Sequence, residues 1–146
     1  MELSCKSEYA LVALLELAGH FKSGEPLQIR QIAAQQDIPE RYLEQLLATL
    51  RRAGFVRSQR GAKGGYLLTR EPWKITLLEI VNCIEGLDAQ SQKAATTPSR
   101  TTEGSVVLSV WQEARQASET VLRGYTLQDL ADRRDSQRQL DLMYYI

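Results

Sequence analysis

Apolar side chains recur at three- and four-residue intervals over several parts of the chain, and polar or glycine-rich breaks separate these parts. The first part, residues 7–20, predicts an amphipathic helix that Ser7 can cap. A turn over residues 22–26 follows, then a short extended stretch at 27–29 and a second, shorter helix over 30–36. The pattern therefore predicts two helices joined by a compact connection.

A third helix is predicted after the break at residues 37–39, because Pro39 suits the first turn of a helix that reaches Ala53. Gly54 supplies the stop. Leucines at helical spacing form an inward stripe, whereas the other side chains of this helix are polar and mostly basic. The stripe consists of Leu43, Leu46, Leu47 and Leu50.

Two short alternating segments, residues 55–59 and 66–69, come next and predict a β-hairpin. The loop between them, residues 60–65, has the glycine-rich sequence RGAKGG. Helix, short helix, tight turn, amphipathic helix and hairpin in this order form a winged helix-turn-helix, in which the helix after the turn enters the major groove of DNA. We therefore expect residues 1–87 to form a DNA-binding domain.

The second half of the chain predicts one long helix between less regular segments. Thr76 and Glu79 form a capping box for a fourth helix that ends near Gly86, and residues 88–103 have the composition of a flexible loop. A long helix over 104–123, a short helix over 126–131 and a tail over 133–146, which docks on a partner or frays, complete the chain. The predicted fold is mainly α with a small β-hairpin.

Charge is distributed unevenly although its sum is zero. The 146 residues include 18 Lys and Arg and 18 Asp and Glu. Between Glu40 and Arg70, however, there are seven cations and only two anions. This excess coincides with the predicted third helix and hairpin, and a local basic patch is typical of a nucleic-acid interface.

The cysteine count and the hydropathy pattern limit the class of protein. Cys5 and Cys83 are the two cysteines and have no CxxC spacing, which argues against a disulfide framework or a closed zinc site. The sequence shows no signal peptide and no apolar run long enough to span a membrane. We expect a soluble protein of the reducing cytoplasm.

The polar face of the third helix and the hairpin loop supply the candidate DNA contacts. Gln45 can pair with adenine and Glu44 can accept from the cytosine amino group, while arginines suit phosphates or guanine. Arg60 or Lys63 at the loop can enter a narrow minor groove. Any single arginine here also fits an ordinary solvated face. The complete candidate set is Gln28, Arg41, Tyr42, Glu44, Gln45, Thr49, Arg51, Arg52, Arg60, Gly61, Lys63, Gly64 and Gly65.

Three segments form a distinctive combination: PERYLEQLL at residues 39–47, LRRAGFV at 50–56 and RGAKGGYL at 60–67. With residues 1–10, Trp111 and residues 126–130, they resemble the IscR-type regulators, a bacterial family of DNA-binding proteins, to about residue 132. The resemblance implies a winged helix-turn-helix domain plus a long C-terminal dimerisation helix that crosses its mate. Two-fold symmetry then implies a palindromic operator with half-sites roughly 34 Å apart. The implied dimer contacts are Val107, Val110, Trp111, Ala114, Ala117 and Val121.

The sequence departs from this family where many relatives bind a cofactor. They hold an iron–sulfur cluster through three cysteines between the fourth helix and the dimer helix, because thiolates are the usual cluster ligands. Residues 93–103 contain no cysteine, and Cys5 and Cys83 match no ligand position of that pattern. Glu8 is interpreted as a surface or helix-capping carboxylate rather than a ligand, and His20 as a side chain that complements the dipole at a helix end. We expect no cluster, no metal and no other cofactor.

No nucleophile, base and orienting residue occur in a catalytic pattern, so we predict that the protein is not an enzyme. The leading hypothesis is a cluster-free repressor of transcription, controlled by a small molecule, a redox change or a protein that acts on the dimer region. Two alternatives stay open. One is a winged-helix module that binds a metabolic enzyme, and the other is a sensor that holds an atypical cluster on Cys5 and Cys83 across a dimer.

Overall fold

Six helices and one two-stranded antiparallel hairpin make up the described parts of the chain, residues 3–92 and 101–144, in a computed structural model. This architecture confirms the predicted mainly helical fold with a small hairpin. The elements in chain order are α1 (Cys5–Gly19), α2 (Ile29–Gln36), α3 (Glu40–Arg52), β1 (Val56–Gln59), β2 (Gly65–Leu68), a 3-10 turn (Pro72–Lys74), α4 (Leu77–Gln92), α5 (Thr102–Arg123) and α6 (Leu127–Tyr144).

The core forms where α1, α2 and α3 meet. The predicted leucine stripe of α3 is buried as a whole, and Leu14 of α1 and Ile32 of α2 are fully buried with it. Each of these side chains removes its apolar surface from water by packing on the neighbouring helices, which fixes α3 with its polar side outward. The first helix begins earlier than predicted, because the hydroxyl of Ser4 caps it by accepting from the Ser7 N–H at 3.1 Å.

Two left-handed residues set the direction of α3. Asp37, at the end of α2, has a φ of 52° and is the only non-glycine residue with a positive φ in the described ranges. Gly54 has a φ of 88° just after α3, and the Phe55 N–H then bonds the carbonyl of Leu50 at 3.0 Å. Glycine suits this position because it has no Cβ to clash. The chain can therefore turn directly from α3 into β1.

The hairpin is anchored to the connection between α1 and α2. Its register pairs Val56 with Leu68 and Gln59 with Gly65. The backbone of Tyr66 also exchanges two hydrogen bonds with that of Leu27, at 3.0 and 2.7 Å, so a third short segment extends the ladder. This contact brings the hairpin loop next to the first turn of α2.

The predicted boundaries around α4 and α5 were also wrong. The fourth helix does not end near Gly86, because α4 continues to Gln92. A glycine inside a helix costs about 1 kcal/mol relative to alanine, which lowers stability without ending the helix. Consequently only residues 93–100 of the predicted loop lie outside the described residues, and α5 begins at Thr102 under a cap from the Thr101 hydroxyl.

The predicted short last helix and tail form one continuous helix, α6, as far as Tyr144. Its second half lacks an apolar stripe, but polar pairs at four-residue spacing support it, such as Gln137 with Asp141 at 3.4 Å. Within the described ranges, no helix has both the length and the apolar character needed to cross a membrane.

Candidate nucleic-acid interface

The outward side of α3 is polar and accessible along its length. Arg41, Glu44 and Gln45 are exposed and lie outside the buried leucine stripe of the helix. Positions 41, 45, 48 and 52 follow one another at spacings of three and four, so they share one stripe of the helix. An α-helix with such a stripe fits the major groove, which is roughly 12 Å wide.

Side-chain hydrogen bonds hold the C-terminal end of this surface. Arg51 donates from Nη1 to the Ser58 hydroxyl at 3.4 Å, which ties the end of α3 to β1. Arg52 donates from Nη2 to the Thr49 hydroxyl at 3.3 Å, and that hydroxyl donates to the Gln45 carbonyl at 3.1 Å. The structure thus brings Arg51 beside the hairpin, while the Thr49 hydroxyl is engaged within α3.

The glycines of the hairpin loop are required by the fold itself. A Cβ at Gly64 would collide with the carbonyl oxygen of Gln59, and one at Gly65 would collide with the Leu27 carbonyl. Gly61 has a φ of 115°, and its carbonyl accepts from the Gly64 N–H at 2.9 Å to close the turn. Because the turn is fixed in this way, Arg60 and Lys63 are held exposed at the tip.

A groove of about 420 Å³ lies between this loop and the first turns of α2 and α3. Arg60 and Gly61 line it from the loop, and the predicted contact Gln28 lines it from the start of α2. The groove also contains Arg30, Glu40 and Gln59, which the sequence-based set missed. Their proximity depends on the Leu27–Tyr66 bridge, which local pattern does not reveal.

The cations of this region are mostly uncompensated. Arg70 is the exception, because it forms an ion pair with Glu79 at 3.2 Å behind the hairpin. Burial tends to raise the pKa of Glu79, but hydrogen bonds from Thr76 and Arg70 and the charge of Arg70 outweigh it, so this pKa lies below its ordinary value. Among the described residues, no ion pair involves the other six cations, which are Arg41, Arg51, Arg52, Arg57, Arg60 and Lys63.

One residue predicted to contact DNA also packs within the chain. The ring of Tyr42 packs edge-on against Tyr9 of α1, with centroids 5.6 Å apart, and is partly buried against the core. The ring therefore stabilises the contact between α1 and α3, and its role as a DNA contact stays a prediction.

The predicted dimer residues lie together on α5. None of the residues of this helix is buried. Val107, Val110, Trp111 and Val121 are 58–68% exposed, and Ala114 and Ala117 are exposed between them. At helical spacing these six side chains form one apolar face, which we call the α5 apolar face.

The cysteines do not provide the donor set of an iron–sulfur cluster. Cys5 is exposed at the start of α1, whereas Cys83 is partly buried in α4, where burial raises the pKa of its thiol. The whole chain has only these two thiols, and residues 93–103 contribute none. Nowhere in residues 3–92 or 101–144 do three or more His, Cys, Asp or Glu side chains group as metal ligands. The residues therefore do not fit a cluster held by three cysteines of one chain.

Comparisons with known proteins agree with this geometry. Residues 3–133 match the family model Rrf2, described as an iron-dependent transcriptional regulator. The chain is 35% identical to the HTH-type transcriptional regulator CymR of Bacillus subtilis over 144 residues, which cover 99% of each chain. It is 34% identical to protein rrf2 of Nitratidesulfovibrio vulgaris over 131 residues, which cover 89% of this chain and 87% of that protein. The structure of T. potens IscR superposes with a TM-score of 0.76 at 37% identity, over 92% of this chain and 88% of that one. The chain belongs to the Rrf2 family, and it is a DNA-binding transcription regulator of the winged helix-turn-helix type.

Proposed function

We propose that this regulator is a homodimeric repressor that binds a palindromic operator without an iron–sulfur cluster. The observation that carries the proposal is the set of six exposed cations on α3, β1 and the hairpin loop, none of which forms an ion pair within the described residues. Phosphates attract such uncompensated charge, and the counterions that they release drive binding. A second chain would bring a second copy of the same surface.

The roles of the contacts follow from their positions. Arg41, Glu44 and Gln45 would read base edges from the outward stripe of α3. Arg51 and Arg52 would bind phosphates at the end of this helix, and Thr49 and Gln28 would contact the sugar-phosphate backbone of the DNA beside them. Arg60 and Lys63 would enter the minor groove, while Gly61, Gly64 and Gly65 shape the loop that presents them.

The dimer is proposed from the α5 apolar face. Six exposed apolar side chains on one side of a helix mark an interaction surface, and a second copy of α5 would cover it. Two recognition helices related by two-fold symmetry would then meet half-sites about one helical turn apart. Because the donor set does not fit a cluster, we assign control of binding to a small molecule, a redox change or a protein that acts on the dimer region.

The test removes three cations of the proposed interface in one variant, Arg51→Ala, Arg60→Ala and Lys63→Ala. The wild-type protein is first used to select operator fragments from genomic DNA, and affinity is then measured by fluorescence anisotropy over a range of salt concentrations. We expect the triple variant to lose at least about 100-fold in affinity and its log–log salt slope to fall by about one unit per lost phosphate contact.

The control removes three exposed cations elsewhere, with Lys74→Ala, Arg123→Ala and Arg138→Ala. It carries the same change in net charge and should bind the operator almost as tightly as the wild type. Equal affinity and equal salt slope for the two triple variants would refute the proposed interface and favour the alternative, a winged-helix module that binds another protein.

A further inference from the structure

One carboxylate connects the base of the hairpin to the segment that holds the end of α5. Glu79 lies in the first turn of α4, and its two oxygens have different partners. Oε1 accepts from Nη1 and Nη2 of Arg70, at 3.2 and 3.3 Å. Oε2 accepts from the backbone N–H and the hydroxyl of Thr76, at 2.9 and 3.2 Å. Glu79 thus links Arg70, just after β2, to Thr76, which directly precedes α4.

On one side, Arg70 fixes the base of the hairpin. It follows β2 by two residues and donates a further hydrogen bond from Nη2 to the Lys74 carbonyl at 2.7 Å. Its guanidinium also lies over the ring of Phe55, 5.9 Å from the centroid, and Phe55 is the buried residue directly before β1. Both strands that carry the loop are therefore held through Arg70.

On the other side, the backbone around Thr76 holds the connection between α5 and α6. The Leu77 N–H donates to the Tyr125 carbonyl at 3.0 Å, and the Leu127 N–H donates to the Ile75 carbonyl at 2.9 Å. Ile75 and Leu127 are fully buried, so water does not compete for these bonds. Together with the packing of Leu122 against the core, this connection holds the C-terminal end of α5.

The connection is also capped from its far side. Thr126 and Asp129 repeat the pattern of Thr76 and Glu79, because the Thr126 N–H donates to Asp129 Oδ2 at 2.8 Å and the Asp129 N–H donates to the Thr126 hydroxyl at 3.2 Å. The two capping boxes face each other across the bridge between Thr76 and Thr126. A continuous series of hydrogen bonds therefore runs from the hairpin to the start of α6.

We propose that Glu79 is a positioning residue that sets the orientation of α5 relative to the hairpin, and through it the half-site spacing that the dimer accepts. This inference rests on the proposed homodimer. A rigid connection makes the dimer accept one separation of half-sites, because any other separation requires distortion. A loosened connection tolerates several separations, but it must be ordered on binding, which weakens affinity for the best site.

Substitution of Glu79 by glutamine isolates this role. An amide of the same size has only one acceptor oxygen, and its NH2 group can only donate. The four hydrogen bonds that Glu79 accepts come from Arg70 and Thr76. The single oxygen of glutamine can accept from only one of these two residues, and its NH2 group then faces the donors of the other. The variant Glu79→Gln therefore loosens the side-chain link between Arg70 and Thr76, while it keeps the shape of the side chain and leaves the backbone hydrogen bonds of Ile75 and Leu77 in place.

The experiment measures affinity for a series of operators whose half-sites are moved apart or together by about one and two base pairs, and for a single half-site. We expect the wild type to prefer one spacing steeply. For Glu79→Gln, we expect the ratio between the best and the worst spacing to fall about fivefold to tenfold, a range typical of coupling between sites, while affinity for a single half-site stays unchanged. Arg70→Lys is the second variant and should flatten the profile in the same way.

Glu8→Gln, which removes an exposed carboxylate from α1, is the charge-matched control and should keep the wild-type profile. Circular dichroism checks that each variant is folded. The proposal is overturned if both variants keep the steep profile, or if they weaken half-site and full-site binding in equal proportion. A wild type that shows no spacing preference would instead refute the dimer, and the wild-type arm alone reports that outcome.

Discussion

The helices α3 and α5 have similar periodicity but opposite relations to the core. In α3 the leucine stripe is buried and the polar side chains face outward. In α5 no residue is fully buried, Leu122 alone among the described apolar residues of this helix packs against the core, and the side chains of the α5 apolar face are exposed. The helix α3 therefore completes its packing within one chain, whereas α5 presents an apolar face that only another surface can cover.

This contrast separates two kinds of apolar residue that look alike in the sequence. A leucine of the α3 stripe contributes to the free energy of unfolding of the single chain. A valine of the α5 apolar face contributes, on our proposal, only to association. The predictions below test that difference, from the largest expected change in free energy to the smallest.

Leu47→Ala should produce the largest effect. The side chain is fully buried, so its loss leaves a cavity and should lower the free energy of unfolding by about 2–5 kcal/mol. The matched truncation Val110→Ala, on a side chain that is 60% exposed, should change the stability of the monomer by no more than about 0.5 kcal/mol. Both are measured by urea unfolding in a monomeric background, so that association does not contribute. Equal losses would contradict the contrast.

Trp111→Asp should supply that monomeric background. Its side chain is 64% exposed, so a charge there leaves the fold of one chain intact but cannot be buried against a second copy. We expect sedimentation to show a monomer and affinity for a palindromic operator to fall about 100-fold, the scale on which joining two binding units raises affinity. Ser109→Asp places the same charge on the same helix away from the apolar face and should remain dimeric. If Trp111→Asp sediments as a dimer, the proposed interface is wrong.

The α3 region was predictable because its determinants are local. The spacing of Leu43, Leu46, Leu47 and Leu50 specifies the buried side of the helix, and Pro39 and Gly54 mark its limits. The groove beside the hairpin loop was not predictable in this way, because it depends on hydrogen bonds between Leu27 and Tyr66, which lie 39 positions apart in the chain. Arg30, Glu40 and Gln59 were missed for that reason.

The ends of α4 and α6 show a second limit. Both helices continue where the apolar periodicity stops, past Gly86 in one case and past Ala131 in the other. Periodicity reports which side of a helix is buried, and the second half of α6, whose side chains are mostly exposed, has no such side. Tyr42 shows the converse, since its place in the middle of the predicted DNA-binding helix gave no sign of its contact with Tyr9.

Arg30→Ala tests whether the cationic surface extends beyond α3 and the loop. Arg30 is exposed and lines the groove that Arg60 also lines, so it would contribute one phosphate contact. We expect affinity for the operator to fall about tenfold and the log–log salt slope to fall by about one unit, equally for all operator sequences, because a phosphate contact carries no base specificity. Arg123→Ala, an exposed cation on α5, is the control. An unchanged slope would restrict the interface to α3 and the loop.

The smallest effect concerns the connection between the two regions. The hydrogen bonds and charge that lower the pKa of Glu79 favour its carboxylate in the folded state, despite the opposing effect of burial. Their contribution to stability is therefore fully present above the ordinary pKa of 4.5 and is lost as the pH falls through the lower folded value.

Glu79→Gln should thus have a lower free energy of unfolding than the wild type at pH 7. Because the pair with Arg70 is partly exposed, we expect this loss to be smaller than the free-energy changes for Leu47→Ala, Trp111→Asp and Arg30→Ala. Urea unfolding of both proteins from pH 7 downward should show the two free energies converging below pH 4.5. A difference that stays constant over this range would mean that the carboxylate's charge is not what holds Arg70 and Thr76 together.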